Sequence, residues 1–553
     1  MNAKPRRRPS TRPLWLAAYA AVLAAVGFVR FRAAAVPPVL TGDSTEYLEM
    51  ARHLASARTL AFEPVVPFAG RAPMYPVLLQ LGAGADGVRP ARAAWIQAAL
   101  MVLLAAGAGA LAVSLHSPAA GALAAVFVGF HPALATASGL VGVELLFALC
   151  AFAVAWAMAL DAARPDLSSA VLAAVAVGAS LWCRSTFLFL PPLLSAAALR
   201  SRDWRRAAIL LLLPYLVLAP WTLRNDERLG AFIPVERQAG VYNLLHAASG
   251  DLGGSGDEAS AALAEKSVPG WRDMDDVERE SALYRFSARK IAESPFRYAV
   301  SCLRRAWLLW RPQWLLVLGA AWAFWRLRGR PEVAALGWLW GYFNIYASMG
   351  VEARYAWPAV PFLCALAACG LADLFAAGAP QEDRARRLSR GAAAWLAGPA
   401  LLTACSAWAL AVEGDAVRAV QAGRGPAPSC PRAESRPGLL ADAKRAQDRG
   451  VLLYLHGDAR RAAECFRAAL WVEPRYAAAR LGAATALSSL GDKRDALTQA
   501  DAAVRLLEAD GERSELLESA LSARAAALRA AGRGKDARAD EAAAARLNAE
   551  LSE

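Results

Sequence analysis

Six short clusters of charged and aromatic residues interrupt the otherwise apolar first three-quarters of the chain. The first is Gly42-Asp43-Ser44-Thr45-Glu46-Tyr47, and the second is Arg71-Ala72-Pro73-Met74-Tyr75-Pro76. Glu144 and Arg184 stand singly in or between apolar runs. The fifth is Pro220-Trp221-Thr222-Leu223-Arg224-Asn225, followed by Gly230, Phe232 and Pro234, and the sixth is Glu352-Ala353-Arg354-Tyr355, ahead of Pro358 and Pro361. A charge held near hydrocarbon costs roughly 3 kcal/mol or more, so it is kept for a partner or a function. A guanidinium matches phosphate oxygens bidentately, and a lone aspartate can take a proton from an incoming hydroxyl. Together these residue types suit displacement at a carbon bearing a phosphate. The phosphate leaves without a general acid, and arginines stabilise the charge that develops on the leaving oxygen.

The elements that must position these clusters are membrane helices. The chain has 553 residues and is 57% hydrophobic, above the roughly 45–50% of soluble domains. The excess falls in blocks, among them 14–29, 93–115, 140–160, 207–220, 313–325 and 392–412. By the length needed to cross a hydrocarbon core, about eleven spans are expected. Residues 168–182 and 187–198 count as separate segments. Arg6, Arg7, Arg8 and Arg12 precede the first run, and Phe31-Arg32-Ala33 after it is not a small-residue cleavage site, so this run is the first span.

Lys/Arg placement orients the bundle. Arg200, Arg202, Arg205 and Arg206, then Arg326, Arg328 and Arg330, then Arg384, Arg386, Arg387 and Arg390 fall in connections on the N-terminal side of the membrane, which the positive-inside rule makes cytoplasmic. Arg30 and Arg32 break the rule at the outer end of the first span, where a lipid headgroup would attract them. Residues 36–92, residues 224–305 and the tail then lie outside, and all six clusters share the outer face. The net charge of +13 is explained by this topology and implies no nucleic acid. The eight cysteines include no CxxC pair, the five histidines have no metal-ligand spacing, and Asp251, Asp257 and Glu258 lack a complete calcium-loop spacing. No metal site is expected.

The tail repeats. Gly457-Asp458 recurs as Gly491-Asp492, 34 residues on, with Ala462 matching Ala496, Ala469 matching Ala503 and Leu470 matching Val504. Thirty-four residues is the tetratricopeptide period. Gly450, Ala462, Phe466, Ala469 and Pro474 occupy positions where such repeats carry small residues, an aromatic wedge and a helix-ending proline. The turn returns at Gly532, 41 residues after Gly491, so three units are expected over 439–547. Such stacks present a concave surface to partners. Residues 413–438, rich in Pro and Gly, read as a linker.

The order and spacing of the clusters resemble the GT-C superfamily of polyprenyl-phosphate-sugar-dependent glycosyltransferases, relatives of protein O-mannosyltransferases and of lipid A aminoarabinose transferases. Asp43, Tyr47 and Ala51 match an Asp-Tyr-Ala pattern after the first span. Arg71, Pro73, Tyr75 and Pro76 match an Arg-x-Pro-x-Tyr-Pro motif. Glu144 matches a glutamate opening a mid-chain helix. Pro220, Trp221, Arg224, Asn225 and Gly230 match a Pro-Trp-x-x-Arg-Asn segment with its glycine, and Arg354, Tyr355, Pro358 and Pro361 match a late Arg-Tyr before a proline-containing helix. The resemblance covers residues 14–375. It implies a lipid-linked sugar donor on the outer face and inversion at the anomeric carbon. Asp43 takes the role of base, with Glu144 as a second catalytic candidate. Arg71, Tyr75, Arg184, Arg224, Asn225, Arg354 and Tyr355 are donor-phosphate or substrate candidates. Many relatives carry a second acid after the Asp where this chain has Ser44, so no metal and no cofactor beyond the donor is implied. The Trp-Trp-Asp-type motif of oligosaccharyltransferases is missing from 224–305, which argues against transfer of a preassembled oligosaccharide to Asn.

Each candidate also has a plainer reading. Asp43 can cap its helix, as Ser44 or Thr45 can. Glu144 can pair structurally with an arginine. Arg184 and Arg224 can snorkel to headgroups. Tyr75 and Tyr355 can be interface aromatics. The fold class expected is all-α. A cytoplasmic stretch at 1–13 precedes a membrane domain over 14–412, in which two surface helices follow the first span. The linker and a helical solenoid over 439–553 complete it. The expected partners are the bilayer, the lipid-linked donor, a protein, lipid or glycan acceptor, and a protein held by the repeats. The expected place is an inner or plasma membrane with the repeats external. A non-catalytic scaffold, a polysaccharide ligase and a transporter are the competing classes. A transporter would place its charges at the midplane of inverted repeats, a pattern not seen here.

Overall fold

The computed structural model describes residues 12–421 and 440–552, apart from 37, 41, 59, 64–65, 68, 85–86, 89, 230–231, 237–238, 254–256, 272–273, 275, 376–380, 456–458, 474 and 510–513. Arg6, Arg7, Arg8, Gly230, Gly457, Asp458, Pro474 and most of the 413–438 linker therefore lie outside the described residues, as do the side chains of Asp257 and Glu258. The chain divides into two units. One is Met1–Pro38 with Glu46–Pro426, and the other is Val39–Thr45 with Ala427–Glu553.

The first unit is helical, as expected. In order it has α1 (Arg12–Ala33), α2 (Gly42–Ala57), α3 (Met74–Gln80), α4 (Pro90–Leu115), α5 (Pro118–Gly129), α6 (Pro132–Ser138), α7 (Glu144–Ala163), α8 (Leu167–Leu181) and α9 (Leu190–Arg200). Then come α10 (Trp204–Leu229), α11 (Ala239–Ser249), α12 (Asp257–Ser267), α13 (Asp276–Glu293), α14 (Pro295–Trp310), α15 (Trp314–Arg326), α16 (Pro331–Tyr342), α17 (Val360–Asp373) and α18 (Gln381–Gln421). Two short antiparallel pairs, Ala61–Glu63 with Val66–Pro67 and Ala83–Gly84 with Gly87–Val88, are the β structure among the described residues. Proline sets several boundaries. Pro118 follows the Ser117 cap, whose side chain accepts from the Ala120 amide, and Pro132 restarts a helix bent by 55° after Gly129.

Six of these helices are long and apolar enough to cross a membrane, and seven if the bent pair α5–α6 counts as one. The count of about eleven is not reached on length. Residues 168–182 and 187–198 do form two separate helices, α8 and α9, joined by a 3-10 turn, and each is too short to span unaided. The 313–325 block is the 13-residue α15. At the other end of the domain, α18 continues to Gln421, so residues 413–421 of the expected linker are helical. The apolar pattern ends near 412, but the residues beyond are mostly compatible with helix and extend it.

α7 is the axis of the bundle. Nearly every residue from Glu144 to Leu160 is buried, and α4, α8, α16 and α18 pack around it. Close packing on both sides is built from small residues. A Cβ on Gly391 of α18 would sit 2.2 Å from the Trp156 ring, and one on Gly129 would sit 2.2 Å from Val26. Arg30, buried at the end of α1, donates to the Gly129 carbonyl from Nε at 3.2 Å and Nη2 at 2.8 Å. The helix break at Phe130 leaves that carbonyl without its helical donor, so Arg30 is held by a backbone partner and not by a headgroup. Likewise α2, one of the surface helices expected after the first span, has its apolar residues Leu48, Ala51 and Leu54 buried within the protein. A helix stripe of this kind is satisfied by a protein core as well as by lipid.

The side-chain pairs sort the helix ends. Gln97 near the start of α4 bonds the Leu140 and Gly142 carbonyls before α7 at 3.0 and 2.7 Å, and Glu144 meets Arg354 ahead of α17. At the opposite end, Asp373 of α17 meets His116 after α4 at 3.3 Å, and Arg206 of α10 pairs with Asp161 of α7 at 2.7 Å.

The described residues of the second unit form six helices in three pairs: α19 (Leu440–Leu455) with α20 (Ala459–Val472), α21 (Ala477–Ser489) with α22 (Lys493–Ala509), and α23 (Glu515–Ala530) with α24 (Gly534–Ser552). Successive helices pack on each other along the series. Ala462, Ala469, Ala496, Ala503 and Ala537 are buried at the contacts. Phe466 is wedged between Gly450 and Gly482, where an added Cβ would lie 2.7 and 2.3 Å from its ring. Gly491 and Gly532 both have φ of +80°, the left-handed turn that ends one helix of a pair and leaves the other free to start.

Candidate active site

The charged end of the membrane unit is assembled from α2, the Arg71 turn, the start of α7, the α8–α9 turn and the 3-10 segment Ala353–Ala359. α2 carries Asp43 in its first turn, half-buried, within the Val39–Thr45 segment that belongs to the second unit, and Tyr47 lies on the part of the helix that belongs to the membrane unit. Glu46 pairs with Arg71 Nε at 2.6 Å. The Arg71 guanidinium lies 5.8 Å from the centre of the Tyr47 ring, and Tyr47 meets Tyr75 edge-on at 4.9 Å. Tyr75 is fully buried, and Gln97 Nε2 donates to its hydroxyl at 2.9 Å. The Met74 amide donates to the Trp182 carbonyl at 3.1 Å, which fixes this turn beside Arg184.

Glu144 opens α7, where the partial positive charge of a helix N-terminus favours a carboxylate. It is 5% exposed and lies 3.5 Å from Arg354 Nη1. Arg354 also reaches Glu352, Nε to Oε2 at 2.8 Å. The Tyr355 hydroxyl donates to Glu352 Oε1 at 3.1 Å and accepts from Asn243 Nδ2 at 3.2 Å. A backbone clamp holds this segment: the Gly350 amide donates to the Asn243 carbonyl at 2.7 Å, and a Cβ on Gly350 would stand 2.9 Å from the Gly253 carbonyl oxygen. Only glycine permits that approach.

Arg184 sits in the turn after α8. Its guanidinium lies over the Tyr355 ring at 5.6 Å, and Tyr346, Glu236, Glu144 and Tyr47 are within electrostatic reach. Among the described residues no hydrogen bond or ion pair engages this guanidinium, and the side chain is half-buried. Glu236 is held nearby by the Ser185 amide and hydroxyl at 3.3 and 2.9 Å, and Tyr346 by a hydrogen bond to Thr186. The result is a half-buried cation set among acids and phenols.

Arg71, Tyr75, Glu144, Arg184, Arg354 and Tyr355 thus meet at one end of the membrane unit. Arg224 and Asn225 are placed differently. They lie on the last turns of α10 and not in an open loop, both buried. Arg224 donates to the Leu60 carbonyl at 2.9 Å and to Asn225 Oδ1 at 3.1 Å, while Asn225 donates to the Ile233 carbonyl at 3.0 Å. These bonds order the chain on either side of the site. Asp251, one of the acids weighed for calcium, pairs with His246 at 2.8 Å. Sequence reading missed Glu236, Gln97 and Tyr346. Glu236 lies two residues beyond Pro234, the last residue of the fifth cluster, and Gln97 is a single amide in an apolar run, a signal of the same kind as Glu144. Among the described residues no group of three or more His, Cys, Asp or Glu side chains is placed to hold a metal ion.

No protein-family model matches the chain, and no curated protein does. Solved structures do. The archaeal oligosaccharyltransferase AglB from Archaeoglobus fulgidus, in complex with an inhibitory peptide and a dolichol-phosphate, aligns at TM-score 0.41 and 15% identity over 74% of this chain. The chain spans 56% of that protein's length. ArnT from Cupriavidus metallidurans, bound to undecaprenyl phosphate, aligns at TM-score 0.39 and 18% identity over 88% of this chain and 80% of its own. In the apo state ArnT aligns at 0.41 and 16% over 96% and 76%.

Proposed function

We propose that the chain is a membrane glycosyltransferase that moves a sugar from a polyprenyl-phosphate carrier to an acceptor hydroxyl. The observation that carries this reading is the Arg184 guanidinium, enclosed by Glu144, Glu236 and Tyr346 yet without a hydrogen-bond or ion-pair partner among the described residues. Leaving a cation unpaired in such a place is costly unless an anion arrives. The ordered series of motifs from Asp43 to Tyr355 supports the same class. In this reading the acceptor oxygen attacks the anomeric carbon from the face opposite the phosphate, its proton passes to Asp43, and the bond between carbon and phosphate oxygen breaks. The leaving phosphate takes the electron pair, stabilised by Arg184 with Arg71 and Arg354. Glu144 holds Arg354 in position. Inversion follows from the single displacement, and no metal is required.

The same reading puts the site and the tail on the external side and the N-terminus in the cytoplasm. Support comes from the basic connections and from Cys465, which is disulfide-bonded to a partner outside the described residues. Disulfides persist in oxidising compartments. The three helix pairs of the tail are read as tetratricopeptide units that hold a protein partner or acceptor.

The test is a transfer assay with radiolabelled polyprenyl-phosphate sugars and a membrane extract as acceptor source, comparing wild type with Asp43→Asn. Loss of the general base should lower transfer by on the order of 100-fold or more, with folding intact. Equal transfer by both proteins would remove Asp43 from the chemistry. No transfer from any donor with any extract would return the scaffold class to the front.

A further inference from the structure

The end of the membrane unit away from Glu144 holds a second unmatched cationic site. A cavity of about 420 Å³ opens there, lined by Arg164, Ala385, Arg386, Ser389 and Arg390. Arg164 caps the C-terminus of α7 and pairs with Asp166 at 2.7 Å. Arg386 and Arg390 are one turn apart on α18 and exposed, and among the described residues no hydrogen bond or ion pair engages either. Their neighbours behave otherwise. Arg384 pairs with Glu332, and Arg387 donates to the Val113 carbonyl at 3.1 Å. The cavity wall is rigid, because Trp156 Nε1 donates to the Leu388 carbonyl at 3.0 Å and Gly391 packs against the same ring.

The exposed face of α18 continues from the two arginines at helical spacing. Ala393, Ala397, Leu401, Ala404 and Trp408 are all exposed along it. Only 22% of the apolar window of this span is buried. From Arg386 to Trp408 the rise is about 33 Å, close to one hydrocarbon thickness. An arginine pair heads a smooth apolar track whose far end carries a tryptophan suited to the other interface.

We propose that this cavity binds the phosphate headgroup of an anionic phospholipid, with an acyl chain lying along the α18 track. Charge selects the headgroup, since paired guanidiniums match phosphate oxygens bidentately. The small residues below it let a chain approach the helix backbone closely. The site is distinct from the donor site, about 30 Å away along the 20-residue α7.

The experiment is native mass spectrometry of the full chain, purified in mild detergent and exposed to phosphatidylglycerol or phosphatidylcholine. Wild type should retain phosphatidylglycerol in preference to phosphatidylcholine. Arg386→Gln with Arg390→Gln should cut that retention by on the order of tenfold. A charge-matched control, Arg289→Gln with Arg297→Gln on the exposed faces of α13 and α14, should leave it unchanged. Equal retention by the Arg386/Arg390 variant, or an equal loss in the control, would overturn the proposal. Full displacement of the lipid by millimolar inorganic phosphate would overturn it too, in favour of a free-anion site. Unchanged melting temperature in both variants assigns any loss to the headgroup contacts.

Discussion

The two ends of the α7 bundle carry similar residue types and use them in opposite ways. At the Asp373 end, the buried charges are matched, and the unengaged Arg386 and Arg390 are exposed. Asp373 is shared by His116, Arg326 at 3.0 Å and Arg330 at 3.5 Å, Glu332 meets Arg384, and Asp161 meets Arg206. Close-spaced, multiply bonded ions of this kind hold helix ends together. At the Glu144 end, Arg354 is divided between two glutamates, its contact with Glu144 is long at 3.5 Å, and Arg184 has no such partner among the described residues. In the proposed function, the guanidinium left without such a partner at the Glu144 end is the charge that meets the donor phosphate.

This contrast can be broken by removing one partner at each end. Arg384→Met leaves Glu332, which is fully buried, without its cation. Stranding a buried charge costs about 3 kcal/mol or more, so thermal unfolding in detergent should move sharply down while transfer per folded molecule stays the same. If that variant melts like wild type, the matched end is not structural. Gly482→Val drives a branched side chain into the Phe466 ring and should destabilise the first two helix pairs of the tail by about 1–3 kcal/mol, read as protease susceptibility of the tail, with the membrane unit intact. Gly142→Ala sharpens the other side. Its Cβ would fall 2.2 Å from Glu144 Oε2, so the carboxylate that meets Arg354 through Oε1 must shift. Transfer should drop by on the order of tenfold with little change in melting temperature.

The smallest expected effect is a pH dependence in the tail. Arg524 bridges α22, α23 and α24, bonding Asp540 at 2.7 Å through two nitrogens and Asp501 at 3.3 Å. The hydrogen bond from Arg505, with Arg524 beside it, holds the Asp501 carboxyl below the usual range. Its folded-state value is depressed, so the contribution is present above the unfolded value of about 4 and is lost as pH falls through the lower, folded value. Helix content of the tail should therefore weaken in that acid window, and Arg524→Met should flatten the transition. Loss of helix on raising the pH from 5 to 8 would contradict this sign.

Most of the bundle was legible in the order of residues, as were the charges that gather at its Glu144 end. Charges in apolar runs declare themselves, and Asp43, Arg71, Glu144, Arg184 and Arg354 did so because burying them is costly. What local sequence does not carry is pairing across long separations. Glu144 and Arg354 are 210 residues apart, and nothing near either says that they meet. Arg30 bonds a carbonyl 99 residues away, so a charge that seemed misplaced for topology turned out to repair a broken helix. Apolar length alone leaves the number of spans open, because short helices such as α9 and α15 carry apolar runs without the length to cross unaided.

The most direct test of the account is one comparison on one sample: transfer rate and melting temperature of Arg184→Gln beside wild type. The account predicts transfer reduced by on the order of 100-fold with the melting temperature little changed, because in it that guanidinium acts on the leaving phosphate and its contact with the fold is the face of the Tyr355 ring. Wild-type transfer, or a fall in stability that accounts for the lost activity, would contradict it.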